Sequence, residues 1–186
     1  MSKENQRVVI SKRMLKDGIM TLLNKKHINE ISVVELCELS GINRTTFYRH
    51  YQTPHDILME IELDFIKDFN DTVPKHKHGI DAKQYSIELC QYIFERKDIV
   101  KMFIQNNTDG DLAAIVQDFT NSFLVSRKML YKGRTVGSDA FRLMQTFFLY
   151  GIYALIRQWI VEDVPISSKD IAEMISGFFG TDFSLQ

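Results

Sequence analysis

The sequence predicts an all-α protein, and two observations support this fold class. Apolar residues recur at helical spacing in nearly every segment of the 186 residues, and only three prolines occur. Strand signals are scarce, because no Asn-Gly or Asp-Gly hairpin turn lies between two runs of alternating polarity. We therefore expect helices throughout, arranged as a three-helix N-terminal domain followed by a C-terminal helical bundle.

The first predicted helix extends from about Val8 to Leu23. Four of its apolar residues share one face, as expected when one side of a helix packs against a core. These residues are Leu15, Ile19, Leu22 and Leu23.

Two short helices separated by a glycine turn are predicted in residues 32–51, SVVELCELSGINRTTFYRHY. Ser32 can cap the first of them, and Glu35, three positions later, can return the bond in a capping box. Gly41 ends this helix, because a tight turn after the last helical residue favours the left-handed conformation that glycine adopts freely.

The second short helix is unusually rich in polar side chains. Asn43 can cap its N-terminus, while Phe47 and Tyr51, four residues apart, can share the inward face. Two short helices, a glycine turn and a polar second helix form the layout of a helix-turn-helix, whose second helix enters the DNA major groove. Its other side chains provide many donors: Arg44, Thr45, Thr46, Tyr48, Arg49 and His50.

A further helix begins at Thr53-Pro54, where a cap is followed by a proline at the first helical position. It ends before TVPKHKHG, which we interpret as the boundary between an N-terminal domain, residues 1–73, and a C-terminal domain, residues 74–186. The apolar stripe of this helix consists of Ile57, Leu58, Ile61, Phe65 and Phe69.

The C-terminal domain is expected to contain five helices, separated by turn-forming segments. The longest is apolar on most faces, which a half-exposed helix on a small monomer could not sustain, and the last has an apolar side of its own. These two helices could form a four-helix interface between two copies of the chain. The five predicted ranges are 82–96, 99–105, 112–130, 138–161 and 168–178.

Charge is distributed unevenly along the chain. Residues 1–55 contain 9 Lys and Arg against 5 Asp and Glu, whereas residues 56–186 contain 14 against 19. A basic N-terminal part on an acidic body suits a protein that presents one end to a polyanion. The basic residues that could reach phosphates beside the second short helix are Lys3, Arg7, Lys12 and Arg13.

The segment GINRTTFYRHY and the proline-started helix after it resemble the DNA-binding domain of the tetracycline-repressor (TetR) family of bacterial regulators. The resemblance covers about residues 9–69, including the glycine, the aliphatic residue, the cap and the TFY triplet of the family pattern. One departure is Pro54, where the family commonly has a lysine that holds a DNA phosphate. His55 or the amides at the helix N-terminus could replace that contact.

The donor chemistry of the second short helix assigns roles within this resemblance. Arg44 could contact guanine with two hydrogen bonds, and Thr45 could touch a thymine methyl group. Thr46, Tyr48 and His50 suit phosphate contacts, whereas Arg49 could serve either role. The predicted DNA-contacting set is Ser32, Asn43, Arg44, Thr45, Thr46, Tyr48, Arg49 and His50.

A homodimer and a palindromic operator in double-stranded DNA are expected together. One short helix covers few base pairs, so two copies related by a two-fold axis would read half-sites about 34 Å, or a multiple of it, apart. The resemblance likewise implies a dimer, formed through the last two long helices.

Aromatic residues are abundant in the C-terminal domain and could line an apolar pocket for a small effector. The alternative is that they form only the core and the dimer interface. The candidate ligand-binding residues are Tyr92, Phe103, Phe123, Phe147 and Tyr150.

Other functional classes have little support. No motif of a nucleophile elbow, a zinc protease or a phosphate-binding loop occurs, so we expect no enzyme and no cofactor. His76 and His78 lie among lysines and are interpreted as linker rather than a metal site, and Cys37 and Cys90 as small buried residues. No apolar run approaches the ~20 residues that span a bilayer, and no secretory signal is recognised, so a cytoplasmic protein is expected.

Three hypotheses of function follow from the sequence. The first is a repressor of the TetR type that a small molecule releases from DNA. The second is a regulator or activator of the same fold that a protein partner controls. The third is a helical interaction module that does not bind DNA.

Overall fold

A computed structural model describes residues 3–73, 82–106, 110–126 and 138–180. Within these ranges the chain forms α-helices and one short 3-10 turn, and no strand. The all-α prediction is therefore confirmed. The chain divides into two compact units, Met1–Asp68 and Phe69–Gln186. The predicted boundary at 73/74 adjoins residues outside the described ranges and stays a prediction.

The first unit is built from four helices: α1 Lys3–Leu23, α2 Val33–Ser40, α3 Arg44–His50 and the greater part of α4 Pro54–Thr72. The 3-10 turn Ile28–Glu30 connects α1 to α2. Helix α1 begins five residues earlier than predicted, because KENQR carries no apolar residue that periodicity could detect. The fully buried side chains of this unit are Leu15, Ile19, Leu36, Phe47, Ile57 and Leu58.

A glycine inside α1 allows α2 to pack closely against it. A Cβ atom at Gly18 would lie 3.2 Å from Leu36 Cδ1 and 3.2 Å from Ser40 Cβ. These distances are shorter than ordinary van der Waals contact, so a larger residue would require Leu36 and Ser40 to shift. The contact explains why a residue with low helix propensity is present inside a 21-residue helix.

The second unit contains α5 Ala82–Glu95, α6 Lys97–Gln105, α7 Gly110–Ser126, α8 Asp139–Val161 and α9 Ser168–Gly180. Helix α5 packs on α9, and α8 packs on both α6 and α7. The predicted end of the third of these helices, at residue 130, lies outside the described residues. The largest fully buried side chains here are Phe69, Leu89, Ile93, Phe103 and Phe119.

Trp159 joins α8 to the segment before α9. Its indole Nε1 donates to the Ile166 carbonyl at 2.9 Å, and its ring stacks on Phe94 with centroids 5.5 Å apart. The buried indole thus has both an apolar contact and a hydrogen-bond acceptor, as a buried tryptophan requires.

Both cysteines are free and buried, as predicted. Burial raises the pKa of the Cys90 thiol to about 12 and also raises the pKa of Cys37. Such thiols stay protonated at neutral pH and are poor nucleophiles and metal ligands.

Candidate nucleic-acid interface

The N-terminus of α2 is capped by Ser32, whose Oγ accepts from the Glu35 amide at 3.2 Å. The predicted capping box is only half formed. The Glu35 carboxylate accepts instead from Lys26 Nζ at 2.6 Å, which ties α2 to the start of the preceding connection. Ser32 is exposed at this cap.

Gly41 forms the turn between α2 and α3, as predicted. Its φ of 69° and ψ of 18° lie in the left-handed region, where a side chain would be strained. The Cys37 carbonyl accepts from the Gly41 amide and also from the Ile42 amide at 3.1 Å, which closes the helix end. The turn therefore ends α2 and leads the chain into α3.

Helix α3 presents a polar surface on one side and an apolar anchor on the other. Asn43 Oδ1 caps it by accepting from the Thr46 amide at 2.8 Å. Phe47 is fully buried and Tyr51, which follows the helix, is nearly so. Of the predicted contact residues on this segment, Thr46 and His50 are half-buried, and the exposed ones are Asn43, Arg44, Thr45, Tyr48 and Arg49.

A carboxylate on α4 gathers groups from α1 and from the end of α3. Glu60 Oε2 accepts from Lys12 Nζ at 2.8 Å and from the Tyr51 hydroxyl at 3.0 Å. Glu60 Oε1 lies 2.9 Å from Lys16 Nζ, which also binds Asp64 at 2.6 Å. Lys12 Nζ lies 5.2 Å from the centroid of the Tyr51 ring. We call Glu60, Tyr51, Lys12 and Lys16 the Glu60 cluster.

Sequence reasoning missed this cluster and placed Lys12 among the residues that could reach DNA phosphates. In the structure Lys12 is half-buried and paired with Glu60. Arg7 is exposed, and Arg13 is also exposed, with its Nε 3.8 Å from Asp17. The side chain of Lys3 lies outside the described residues. The remaining candidates for phosphate contact on α1 are therefore Arg7 and Arg13.

The Glu60 cluster makes the stability of the first unit depend on pH. Burial by itself raises the pKa of the Glu60 carboxyl, but the hydrogen bonds from the two lysines and the tyrosine lower it to about 2. The ordinary pKa of glutamate is ~4.3. Because the pKa of Glu60 in the folded protein lies below this value, the ionised Glu60 carboxylate contributes its full stabilisation above pH ~4.3, and this contribution is lost as the pH falls towards 2.

We expect Glu60→Gln to flatten the decline of the unfolding free energy between about pH 4.3 and pH 2. Urea unfolding of the wild type and of Glu60→Gln at several pH values in this range measures the effect. If the unfolding free energies of the two proteins declined in parallel as the pH falls, the prediction would be wrong.

A carboxylate in the first turn of α4 binds the backbone just before the helix. Asp56 Oδ2 accepts from the Gln52 amide at 2.7 Å and from the Thr53 amide at 3.0 Å. These backbone bonds lower the pKa of Asp56. These two amides precede the helix, and His55, in its first turn, is exposed.

The candidate ligand-binding residues of the second unit are found in two different settings. Tyr92 and Phe103 are core residues, and the Tyr92 ring contacts Phe69 with centroids 5.2 Å apart. Phe147 and Tyr150 are 70% and 66% exposed on α8. The side chain of Phe123 lies outside the described residues. The four described side chains thus include two core rings and two surface rings.

An open apolar groove of about 400 Å³ lies between α8 and α9. Of the candidate ligand residues, Phe147 contributes to it, whereas Tyr92, Phe103 and Tyr150 do not. The groove is lined by Phe147, Phe148, Gly151, Ile152, Leu155, Ile175 and Phe178.

The described residues contain no group of three or more potential metal ligands, and His76 and His78 lie outside them. Across the same part of the chain, every helix is too short or too polar to cross a membrane.

Comparison with known proteins relates this architecture to transcriptional regulators. Residues 81–180 match a TetR family model described as "Transcriptional regulator C-terminal region". A TetR transcriptional regulator from Streptococcus agalactiae 2603V has a similar structure, with a TM-score of 0.70, 14% identity, and coverage of 94% of this chain and 96% of that one. The dihydroxyacetone kinase operon activator DhaS has a TM-score of 0.59, 17% identity, and coverage of 91% and 94%.

No curated protein sequence matches this chain. The two solved structures share 14% and 17% identity with this chain, and their likeness supports the fold. The family model covers more than half of the sequence. The chain therefore belongs to the TetR family of transcriptional regulators.

Proposed function

We propose that this regulator is a homodimeric repressor that binds a palindromic operator through α3 and leaves it when a small molecule binds the second unit. The observation that carries the DNA-binding part is the two-sided character of α3. Its inward face is anchored by Phe47, while an arginine, a threonine and a tyrosine project from the exposed face. A helix of this kind suits the major groove.

Contacts to DNA are assigned by position and chemistry. Arg44 and Thr45 occupy the first turn of α3 and are exposed, as the N-terminal residues of a recognition helix must be to reach base edges. Tyr48, Thr46 and His50 would hold phosphates, and Arg49 could contact either a base or a phosphate. Ser32 and Asn43 have oxygens that already cap helices, so their contacts to DNA would be additional to these caps.

The homodimer is proposed from the exposed apolar surface of the last two helices. Leu143, Phe147 and Tyr150 recur along one face of α8 and are largely exposed, as is Phe178 on α9. Apolar surface of this kind, contiguous with the groove between α8 and α9, marks an interaction site. A second copy related by a two-fold axis would cover it with the same residues.

Release by an effector requires coupling between the two units. Helix α4 belongs to both of them, because it begins in the first and its last turn lies in the second. An effector that tilts α4 would change the spacing of the two recognition helices, and a coupling of ~1–3 kcal/mol is enough for a useful switch.

Control by a protein partner is the second candidate function. Two observations support it. Tyr92 and Phe103 pack in the core, and the groove on α8 and α9 is open. The structural neighbour DhaS is an operon activator, so the fold also occurs in activators.

Arg44→Ala tests the assignment of base reading. We expect it to weaken binding to the preferred duplex by ~1–3 kcal/mol and to relax preference at one base position. Tyr48→Phe should weaken binding to preferred and random duplexes alike, because a phosphate contact carries no sequence information. Fluorescence anisotropy with both duplexes measures the two effects. Equal losses on both duplexes for Arg44→Ala would refute its role as a base reader.

A further inference from the structure

The recognition helix α3 has too few residues to fix its own direction. It spans Arg44–His50, about two turns, and its fully buried side chain is Phe47, in the middle of the helix. Apolar contact resists removal of the helix from the core but resists rotation of the helix only weakly, because such contact is not directional. A second, directional contact near one end would therefore determine where the other end points.

Tyr51 supplies that contact at the C-terminal end of α3. Its amide donates to the Phe47 carbonyl at 2.9 Å, so its backbone is continuous with the helix. Its hydroxyl donates to Glu60 Oε2 at 3.0 Å, and its ring packs beside Phe47 with centroids 6.0 Å apart. A hydrogen bond to a charged acceptor is both directional and stronger than a neutral one.

Glu60 is itself held from two sides. Lys12 binds the oxygen that also accepts from Tyr51, and Lys16 binds the other oxygen. Both lysines project from α1, so the carboxylate connects α1, α4 and the end of α3 at one point. Because both oxygens are bound, the carboxylate cannot rotate without breaking an ion pair. The pKa of Glu60, about 2, keeps it ionised at neutral pH, and the raised pKa of Tyr51 keeps the phenol a donor.

We propose that Glu60 is a positioning residue for sequence recognition, whose carboxylate orients α3 through Tyr51 so that Arg44 and Thr45 meet the base edges. The inference rests on the proposed function, since it concerns DNA binding by α3. Glu60 does not itself contact DNA in this account. It acts on discrimination between sequences, because a misdirected α3 still carries the positive and polar groups that bind phosphates.

The test compares two affinities for each variant. One duplex is the sequence that the wild-type chain selects from a random pool, and the other is a random duplex of equal length. We expect Glu60→Gln to lower the ratio of the two affinities at least about tenfold. Its affinity for random duplex should stay the same or rise, since the substitution removes one negative charge and the ion pair of Lys12, while Lys16 keeps its ion pair with Asp64. A merely structural defect would lower both affinities by the same factor and leave the ratio unchanged.

Asp64→Asn is the matched control. It removes the same charge from the same helix and also loses a contact with Lys16, but Asp64 forms no hydrogen bond with Tyr51. We expect its ratio to equal that of the wild type. Tyr51→Phe removes the donor without changing charge and should lower the ratio as Glu60→Gln does. The double variant Tyr51→Phe/Glu60→Gln should have a ratio no lower than that of the poorer single variant, because the two substitutions remove the same hydrogen bond.

Each outcome has a distinct meaning. A wild-type chain that selects no sequence overturns the proposed function and the inference with it. A discriminating wild type together with unchanged ratios in Glu60→Gln and Tyr51→Phe overturns the inference alone. Circular dichroism establishes which variants are folded, and if Glu60→Gln is not, the Tyr51→Phe ratio decides the question.

Discussion

Phe47→Ala is expected to destabilise the first unit by about 3–5 kcal/mol, the usual cost of removing a buried phenylalanine ring. Phe47 is 0% exposed and sits in the middle of α3. A domain of this size has only about 5–15 kcal/mol of stability, so the substitution removes much of it. Binding to DNA should be lost at temperatures where the wild type still binds, because α3 has no other fully buried side chain.

Urea unfolding followed by circular dichroism measures this effect. Tyr48→Ala is the control, since Tyr48 is the next residue and also aromatic, but is 59% exposed. Surface substitutions usually change stability by about 0.5 kcal/mol or less, so Tyr48→Ala should leave the midpoint nearly unchanged. Equal destabilisation by the two variants would mean that α3 is not anchored through Phe47.

Phe147→Glu is expected to convert the protein to a monomer and to weaken operator binding at least about a hundredfold. Phe147 is 70% exposed on α8 and lines the groove shared with α9. In a two-fold symmetric interface each substitution occurs twice, so two unpaired carboxylates would be buried in apolar surface. A monomer presents one recognition helix and loses the second half-site.

Sedimentation equilibrium at micromolar concentration measures the oligomeric state. Leu63→Glu is the control, because Leu63 is 66% exposed but lies on α4. It introduces the same charge on a similarly exposed aliphatic side chain and should leave the oligomeric state unchanged. A dimer that persists in Phe147→Glu would show that the α8 and α9 surface is not the interface.

Local features of the first unit could be predicted because their partners lie within a few residues in sequence. The caps at Ser32 and Asn43 each bind an amide three residues away, and Gly41 occupies its left-handed turn. Such contacts depend on residue type and spacing alone. The apolar stripes of α1 and α4 follow from helical periodicity for the same reason.

Contacts between distant segments could not be predicted in this way. Lys12 and Glu60 are 48 residues apart, and their pairing depends on how α1 crosses α4. Periodicity identifies the buried face of each helix but contains no information about that crossing. The sequence therefore leaves Lys12 among the residues that could contact DNA phosphates.

The aromatic residues of the second unit show a related limit of sequence reasoning. Composition does not distinguish a pocket from a core, because the same side chains suit both. The structure buries Tyr92 and Phe103 and exposes Phe147 and Tyr150.

Selection of bound sequences from a random duplex pool, at near-physiological salt, tests the central claim most directly. The account predicts an inverted repeat whose half-sites lie about 34 Å, or a multiple of that distance, apart, since two copies of α3 would read them together. Repeating the selection with a metabolite mixture separates the two proposed modes of control, because loss of enrichment would favour a small effector. Failure to enrich any sequence, or enrichment of a single half-site, would contradict the claim of a dimeric operator-binding regulator.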